Sequence, residues 1–468
     1  MLVLRVLSLA LLAVPSLALA CEGGHCTDAG DGQLQWDASL RVRGLYYDPT
    51  RFGIGGSEDG HGLLRALASA TYVEDSWQAK LQLGVHAENG RAGGPGRTDR
   101  SALDVQQAYW RWQRGGFHLQ LGRQEAGYGS SRLLSVRDGP NIRLAFDGAR
   151  LGWKGRLGTL DLMALRPVEN RPGAFDDRGE HGAHLWGAYA TTARGQGAAQ
   201  WDLYLLDYRR EGARFAAGSG IERRQTLGAR WFGQAGALDW NSELVAQGGE
   251  LRTATGNLDI RAWTLATDTG WRWNDLPLQP RLGLKADIAS GDGNPQDGRL
   301  GTFNALFPKS AYFSEASLLA PANLMDVQPT LSLRLHDTVT TELGVQMAWK
   351  HRRADAVYTT PAPLVALPGS AGAARPHRHS IQIRNPLAGQ RTLAMAAAAG
   401  LGRCRSCAEA GRWPGHAVRL DRWSMAMVNA SRVATPRTGR RRLVPAEDPD
   451  VPLDLAGDPG QQHRHLGQ

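Results

Sequence analysis

The sequence predicts an all-β protein, a transmembrane antiparallel β-barrel, and three observations predict it. Apolar residues recur at every second position over many short segments, the connections between the segments alternate short and long, and aromatic residues gather at the segment ends. Successive side chains of a strand point to opposite faces, so each such segment has one greasy and one polar face. Beyond the N-terminus no run of about 18 apolar residues occurs, so no helical span is expected; barrel strands alternate and need none.

The first element is a leader. Residues 1–20, MLVLRVLSLALLAVPSLALA, carry one early positive charge (Arg5), an apolar run and the small-residue site Ala18-Leu19-Ala20. This is the pattern of a secretory signal peptide. Segment 21–32 follows, with two alternatives for its cysteines: Cys21 and Cys26 close a small disulfide loop after export, or Cys21 is lipidated. Cys404 and Cys407 form a C-x-x-C without a second pair. Structural zinc takes four ligands, so no metal site and no cofactor are expected.

Strands follow from Gln33. In QLQWDASLRVRG, Leu34, Trp36, Ala38, Leu40 and Val42 alternate with Gln35, Asp37, Ser39, Arg41 and Arg43. The same alternation returns in Ser76–Glu88, Ala237–Gln247, Pro280–Ala289 and Thr341–Lys350. Each is about ten residues, the length a tilted strand needs to cross a bilayer. Fifteen such strands are expected up to about Arg353. Tight polar turns are expected at Glu74-Asp75, Gly115-Gly116, Gly155, Gly195–Gly197, Ala235-Gly236, Asn274-Asp275 and His336-Asp337. Between them lie longer Gly-, Asp- and Arg-rich stretches near 48–61, 89–102, 125–142, 167–181, 211–220 and 290–323. Outer-membrane barrels have short periplasmic turns and long external loops. Tyr46, Tyr47, Trp110, Trp112, Trp271 and Trp273 suit interfacial girdles. The barrel is placed at 33–365, with its apolar face to lipid and its charged face to a water-filled lumen.

Pattern fails in the tail, 371–468. Of the net charge of +9, that tail holds 15 Arg, no Lys and 7 acidic residues, so the body is nearly neutral. The basic pI therefore does not argue for a nucleic-acid partner. Two readings suit the tail: a disordered basic extension, or translation in the wrong frame of a GC-rich gene. The second is favoured, because Arg without Lys and an abrupt loss of period are what a frame change produces. Translating the other two frames beyond about residue 370 tests it, since one of them should then give alternating strands ending in an aromatic residue.

No catalytic constellation stands out. His118, His181 and His184 lie near acids, without a Ser-centred elbow or a His pair at metal spacing, so no enzyme is expected. Ala289–Asp297, ASGDGNPQD, lacks the regular ligand spacing of a calcium loop and reads as a solvated external loop. The inward face carries more information. Its basic set is Arg41, Arg43, Arg65, Lys80, Arg281, Lys285, Arg334 and Lys350, and its acids include Asp37, Glu243, Asp287 and Glu342, expected to pair with the cations. Rings of Arg or Lys favour anions in pores, and the planar Arg fork suits carboxylates.

At Leu121–Leu151 the chain reads LGRQEAGYGSSRLLSVRDGPNIRLAFDGARL. With Asp239–Gly249 and Ala289–Phe313, this resembles the alginate export family of bacterial outer-membrane proteins over roughly residues 30–365. The resemblance implies an eighteen-stranded monomeric barrel with a narrow, arginine-lined lumen. It implies passive export of a uronate polysaccharide, with periplasmic secretion proteins as partners and outer-membrane lipid around the wall. Arg41, Arg65 and Arg123 match basic positions of that family's constriction, and Asp138 and Glu169 match acids of the same region. Gln106 stands where the best-known members have Arg. Arg123 has the parity of Phe117, Leu119 and Leu121, so it needs a strand end or bulge to face inward. By the same comparison, the three final strands are missing here. The alternatives are a general or small-solute porin on the same scaffold and a barrel enzyme.

Overall fold

The computed structural model describes residues 32–47, 59–193, 199–309, 312, 319–337, 339–359, 364–367, 369–372, 378–387 and 391–395. The signal peptide, all four cysteines and the tail beyond 395 lie outside the described residues. So does the test of a frame change there.

Twenty-one strands follow in chain order: β1 (Gln33–Tyr47), β2 (Asp59–Val73), β3 (Trp77–Asn89), β4 (Ser101–Arg114), β5 (Phe117–Gln124), β6 (Phe146–Gly155), β7 (Gly158–Glu169), β8 (Arg178–Gly179), β9 (Ala183–Thr192), β10 (Ala199–Phe215), β11 (Gly218–Ala235), β12 (Leu238–Thr253), β13 (Gly256–Arg272), β14 (Arg281–Ala289), β15 (Arg299–Leu300), β16 (Leu324–His336), β17 (Val339–Lys350), β18 (Tyr358–Thr359), β19 (Val365–Ala366), β20 (Arg378–Leu387) and β21 (Arg391–Met395). Four of these are two-residue strands in the connections. The other seventeen form one all-β antiparallel sheet in which each strand pairs with the next. This is the sheet of an outer-membrane β-barrel. No helix is long and apolar enough to cross a membrane, which says nothing against crossing by strands.

Alternation decides which face each residue takes. On β12, Glu243, Val245 and Gln247 are buried inward, while Leu244 and Ala246 point out. Leu203 and Leu205 of β10 and Leu282 and Leu284 of β14 are exposed in the same way. A belt of outward Trp at the turn end (Trp36, Trp110, Trp201, Trp231, Trp271) matches a membrane interface. Trp201 and Trp231 are register partners and stack 6.1 Å apart. The outward face thus meets lipid. Leu244, 57 % exposed in mid-strand, tests this. Leu244→Arg is expected to destabilise the refolded protein by about 2–4 kcal/mol in urea titrations in lipid. No loss of stability there would place Leu244 in water.

Fifteen long strands end at Lys350, in agreement with the sequence reading. The sheet then continues past residue 371, where that reading began the tail. Strand β20 pairs with β17, and β21 with β20. The segment RHSIQIRNPL does alternate, but its polar positions are Arg, Ser and Gln around only two Ile, which leaves little contrast.

A second difference concerns the connection at 211–220, expected to be a long loop. Here β10 and β11 run 17 and 18 residues and meet in a tight hairpin at Ala216-Ala217. A bilayer needs only about 9–11 residues. The extra length is supported by its own core, in which Ala213 and Phe215 pack with Leu251, Ile260, Leu300 and Tyr358.

A third difference is the largest. The stretches 125–142 and 290–323, expected outside, send their apolar parts inside. Leu133, Leu134, Phe303, Leu306 and Phe307 pack on Phe146, Leu165, Leu185, Tyr204, Leu206 and Val245 of the inner wall. The two segments also pair with each other: Ser135 N–H donates to the Phe307 carbonyl (3.0 Å) and Phe307 N–H to that of Leu133 (2.8 Å). Burial of five large apolar side chains outweighs the polarity of their neighbours, at roughly 1.5–3 kcal/mol each. The tip Gly293–Arg299 stays exposed, as a solvated loop should.

Candidate functional site

Arg41 on β1 and Arg65 on β2 are register partners, both inward and both buried. Like charges directly opposite each other destabilise a sheet unless something answers them. The answer comes from the connection after β5. Arg41 donates to the carbonyls of Asp138 (2.7 Å) and Pro140 (2.7 Å). Arg65 donates to the carbonyls of Asp138 (2.8 Å), Pro140 (2.8 Å) and Asn141 (2.8 Å), and its Nη1 pairs with the Asp138 carboxylate. Arg43 adds one bond to the Gly139 carbonyl (2.8 Å). Asn141, fully buried, ties the same segment to the carbonyls of Leu64, Ala87 and Asp99. Burial alone would raise the Asp138 carboxyl, but Arg65 and Arg41 outweigh it and hold it below the usual carboxylate range. Half of the Asp138 side chain, 51 %, nevertheless stays open to solvent.

The segment that meets this arginine pair also reaches the opposite wall. Arg132 pairs with Glu243 on β12 (2.9 Å) and bonds to Asn241 and Tyr312. Residues 132–141 therefore cross the lumen, held by guanidinium groups at both ends.

Arg123 sits at an irregular point of the wall, next to the fully buried Gln124. It lies at the end of β5, after Gly122 at φ +121°. Gly122 pairs with Gly148 on β6. A Cβ on Gly122 would lie 2.3 Å from the Ala108 carbonyl oxygen, so the strands cross here only because glycine leaves room. Arg123 then grips Asp147 with two bonds, 2.8 and 3.1 Å. Asp104 lies 3.8 Å from Arg123, Arg123 donates to the Asp177 carbonyl, and the carboxylates of Asp104, Asp176 and Asp177 cluster together. Burial, with Asp104 alongside, pushes the Asp177 carboxyl up to about 6. Arg123 makes no contact with the Arg41–Arg65 pair, so the structure does not join all the expected residues in one ring.

The remaining sites are separate ion pairs. Glu169, half-buried at the end of β7, lies 3.6 Å from both Arg171 and Arg178. Arg281 bonds to Asp239 and Asp268, and Lys285 to Glu342 (3.1 Å). Arg334 is on the inward face of β16 without a side-chain partner among the described residues. Lys80 shares the inward parity of Gln82 and His86 on β3. Lys350 is bound to the carbonyls of Arg353 and Ser370. Of the acids expected to pair with cations, Glu243 and Glu342 do so. Asp37 bonds instead to Ser69, and Asp287 has no ion-pair partner among the described residues.

Sequence reasoning missed Arg132, Arg143 and His86. His86 is the register partner of Arg65, which extends the inward row to Arg41–Arg65–His86. Arg132 was readable only through the apolar pair Leu133-Leu134 beside it, a reason for that segment to turn inward. Gln106 donates to Glu125 (2.8 Å), and Glu125 pairs with Arg143 (2.9 Å).

A family model described as alginate export matches residues 33–401. No curated protein matches the chain. Among solved structures, the chain is similar to Pseudomonas aeruginosa OccK8 (OprE), at 11 % identity and TM-score 0.47, covering 75 % of this chain and 94 % of that one. A BenF-like porin from Pseudomonas fluorescens Pf-5 is similar at 10 % identity and TM-score 0.49, with the same coverage. Pseudomonas aeruginosa OccK11 (OpdR) is similar at 14 % identity and TM-score 0.47, covering 78 % and 92 %.

Proposed function

The chain belongs to the alginate export family and is an outer-membrane β-barrel channel of a Gram-negative bacterium, and from that premise we propose that it passes an anionic, uronate-type polysaccharide passively outward. The observation that carries this reading is the Arg41–Arg65 pair. Two guanidiniums stand opposite each other and share one half-open carboxylate, that of Asp138. A uronate carboxylate has the same charge and the same two oxygens, so it can take the place of Asp138 on either fork. Each exchange replaces one ion pair by another. Binding per site stays weak, as transit through a pore requires. Arg123, Arg281 and Lys285, each already matched by acids on the wall, act in this reading as spacers that keep the lumen from collapsing. Glu169 and Arg334, at the two ends of the wall, meet cargo on entry or exit.

A second reading, a porin for small solutes, is favoured by one observation: residues 132–141 cross the lumen and narrow it. Reversal potentials in a salt gradient across planar bilayers separate the two. The exporter is expected to select anions. Cation selectivity would overturn that reading in favour of the general porin.

A further inference from the structure

Inward carboxylates on the β12–β17 wall are matched with cations, with one exception. Asp239 and Asp268 bind Arg281, Glu342 binds Lys285, and Glu243 binds Arg132. Asp287 on β14 and Asp326 on β16 have no ion-pair partner among the described residues. The two are register partners, so they face each other across adjacent strands. Both point inward, and they are 3 % and 1 % exposed. Side chains directly opposite in a sheet have Cβ atoms about 4.5–5.5 Å apart, so both carboxylates occupy one site.

Their hydrogen bonds show what is lacking. Asp287 Oδ1 accepts from the Tyr312 hydroxyl (3.4 Å). Asp326 Oδ2 accepts from the carboxamides of Gln328 and Gln346. These donors are neutral. The second oxygens, Asp287 Oδ2 and Asp326 Oδ1, are fully buried and accept nothing. Two adjacent buried charges without compensation are costly. Arg132 and Lys285, the nearest basic groups, are already engaged by Glu243 and Glu342. One shared proton would cancel only one of the two charges. A divalent cation cancels both and gives each unbonded oxygen a ligand role.

The surrounding chemistry selects the class of ion. Around the two carboxylates stand a hydroxyl and two carboxamides, whose oxygen and nitrogen ends exchange by a half-turn. Sulfur and imidazole are not among these neighbours. Hard oxygen donors in an irregular set suit Ca²⁺, which accepts varied geometry at about 2.3–2.6 Å, better than Mg²⁺, which demands an octahedron. We propose that Asp287 and Asp326 form a Ca²⁺ site in the lumenal wall, clamping β14 to β16 at the two strands that flank the inward 290–323 segment. The site stands apart from the cargo reading, since it requires no transport.

The test is calorimetric titration of Ca²⁺ into the full chain refolded in nonionic detergent, with thermal unfolding alongside. Saturable uptake of one Ca²⁺ per chain is expected, together with a higher unfolding midpoint. Asp287→Asn and Asp326→Asn are each expected to weaken uptake at least about tenfold and to remove the thermal shift. Absence of saturable uptake by the wild-type chain would overturn the proposal, and that result needs no variant to fold. Uptake unchanged in both Asn variants would also overturn it, by placing the ion among other acids such as those at 292–297.

Discussion

Arg65→Ala is expected to widen the channel and weaken its hold on carboxylates together. Arg65 gives the 138–141 segment three carbonyl bonds and one carboxylate pair. Without it those groups lose their buried donors, at roughly 1–3 kcal/mol for each group left unsatisfied. Arg41, Arg43 and the three Asn141 bonds would remain, so the segment is loosened at Asp138 and Pro140 rather than released. Single-channel conductance should rise and anion selectivity should fall. Arg65→Lys should behave much like the Ala variant, because an ammonium cannot reproduce the guanidinium fork. Unchanged conductance and selectivity in Arg65→Ala would mean that the segment is held without Arg65, by its other polar and apolar contacts.

Phe307→Ala is expected to cost about 3–5 kcal/mol of stability, the usual range for emptying a buried aromatic site. The ring is 5 % exposed and meets Phe146 and Tyr208 edge-on, at 5.3 and 5.5 Å. It joins the two inward segments to the wall of β6 and β10. Its loss should lower the urea midpoint and make open-channel current noisier, because both segments share the contact. A loss below about 1 kcal/mol would show that the lumenal core contributes little and that the barrel wall holds itself.

These two residues mark what the sequence could and could not reveal. Strand positions and faces were legible from Gln33 to Lys350, because lipid on one side and water on the other impose period two. Arg41 and Arg65 were legible for that reason, as was the need of Arg123 for a strand end. The path of the connections was not. Glycine, Asp and Arg in 125–142 and 290–323 signal loops, and only the few apolar residues, such as Leu133, Leu134 and Phe307, hint that they turn inward. Partners far apart in the chain, such as Asp138 with Arg65 or Arg132 with Glu243, leave no local pattern. The unmatched pair Asp287–Asp326 was hidden for a related reason. Each acid alternates like any other, and only the register between β14 and β16 puts them together. Strand β20 was missed because its two Ile stand among Arg, His and Gln.

The central claim is that the Arg41–Arg65 pair exchanges Asp138 for a carboxylate of the cargo. Current block of single wild-type channels by an oligouronate, set against an uncharged oligosaccharide of equal length, tests it most directly. Block by the oligouronate alone is expected, stronger at low salt and weakened in Arg65→Ala. Equal block by both sugars, indifferent to salt, would contradict it.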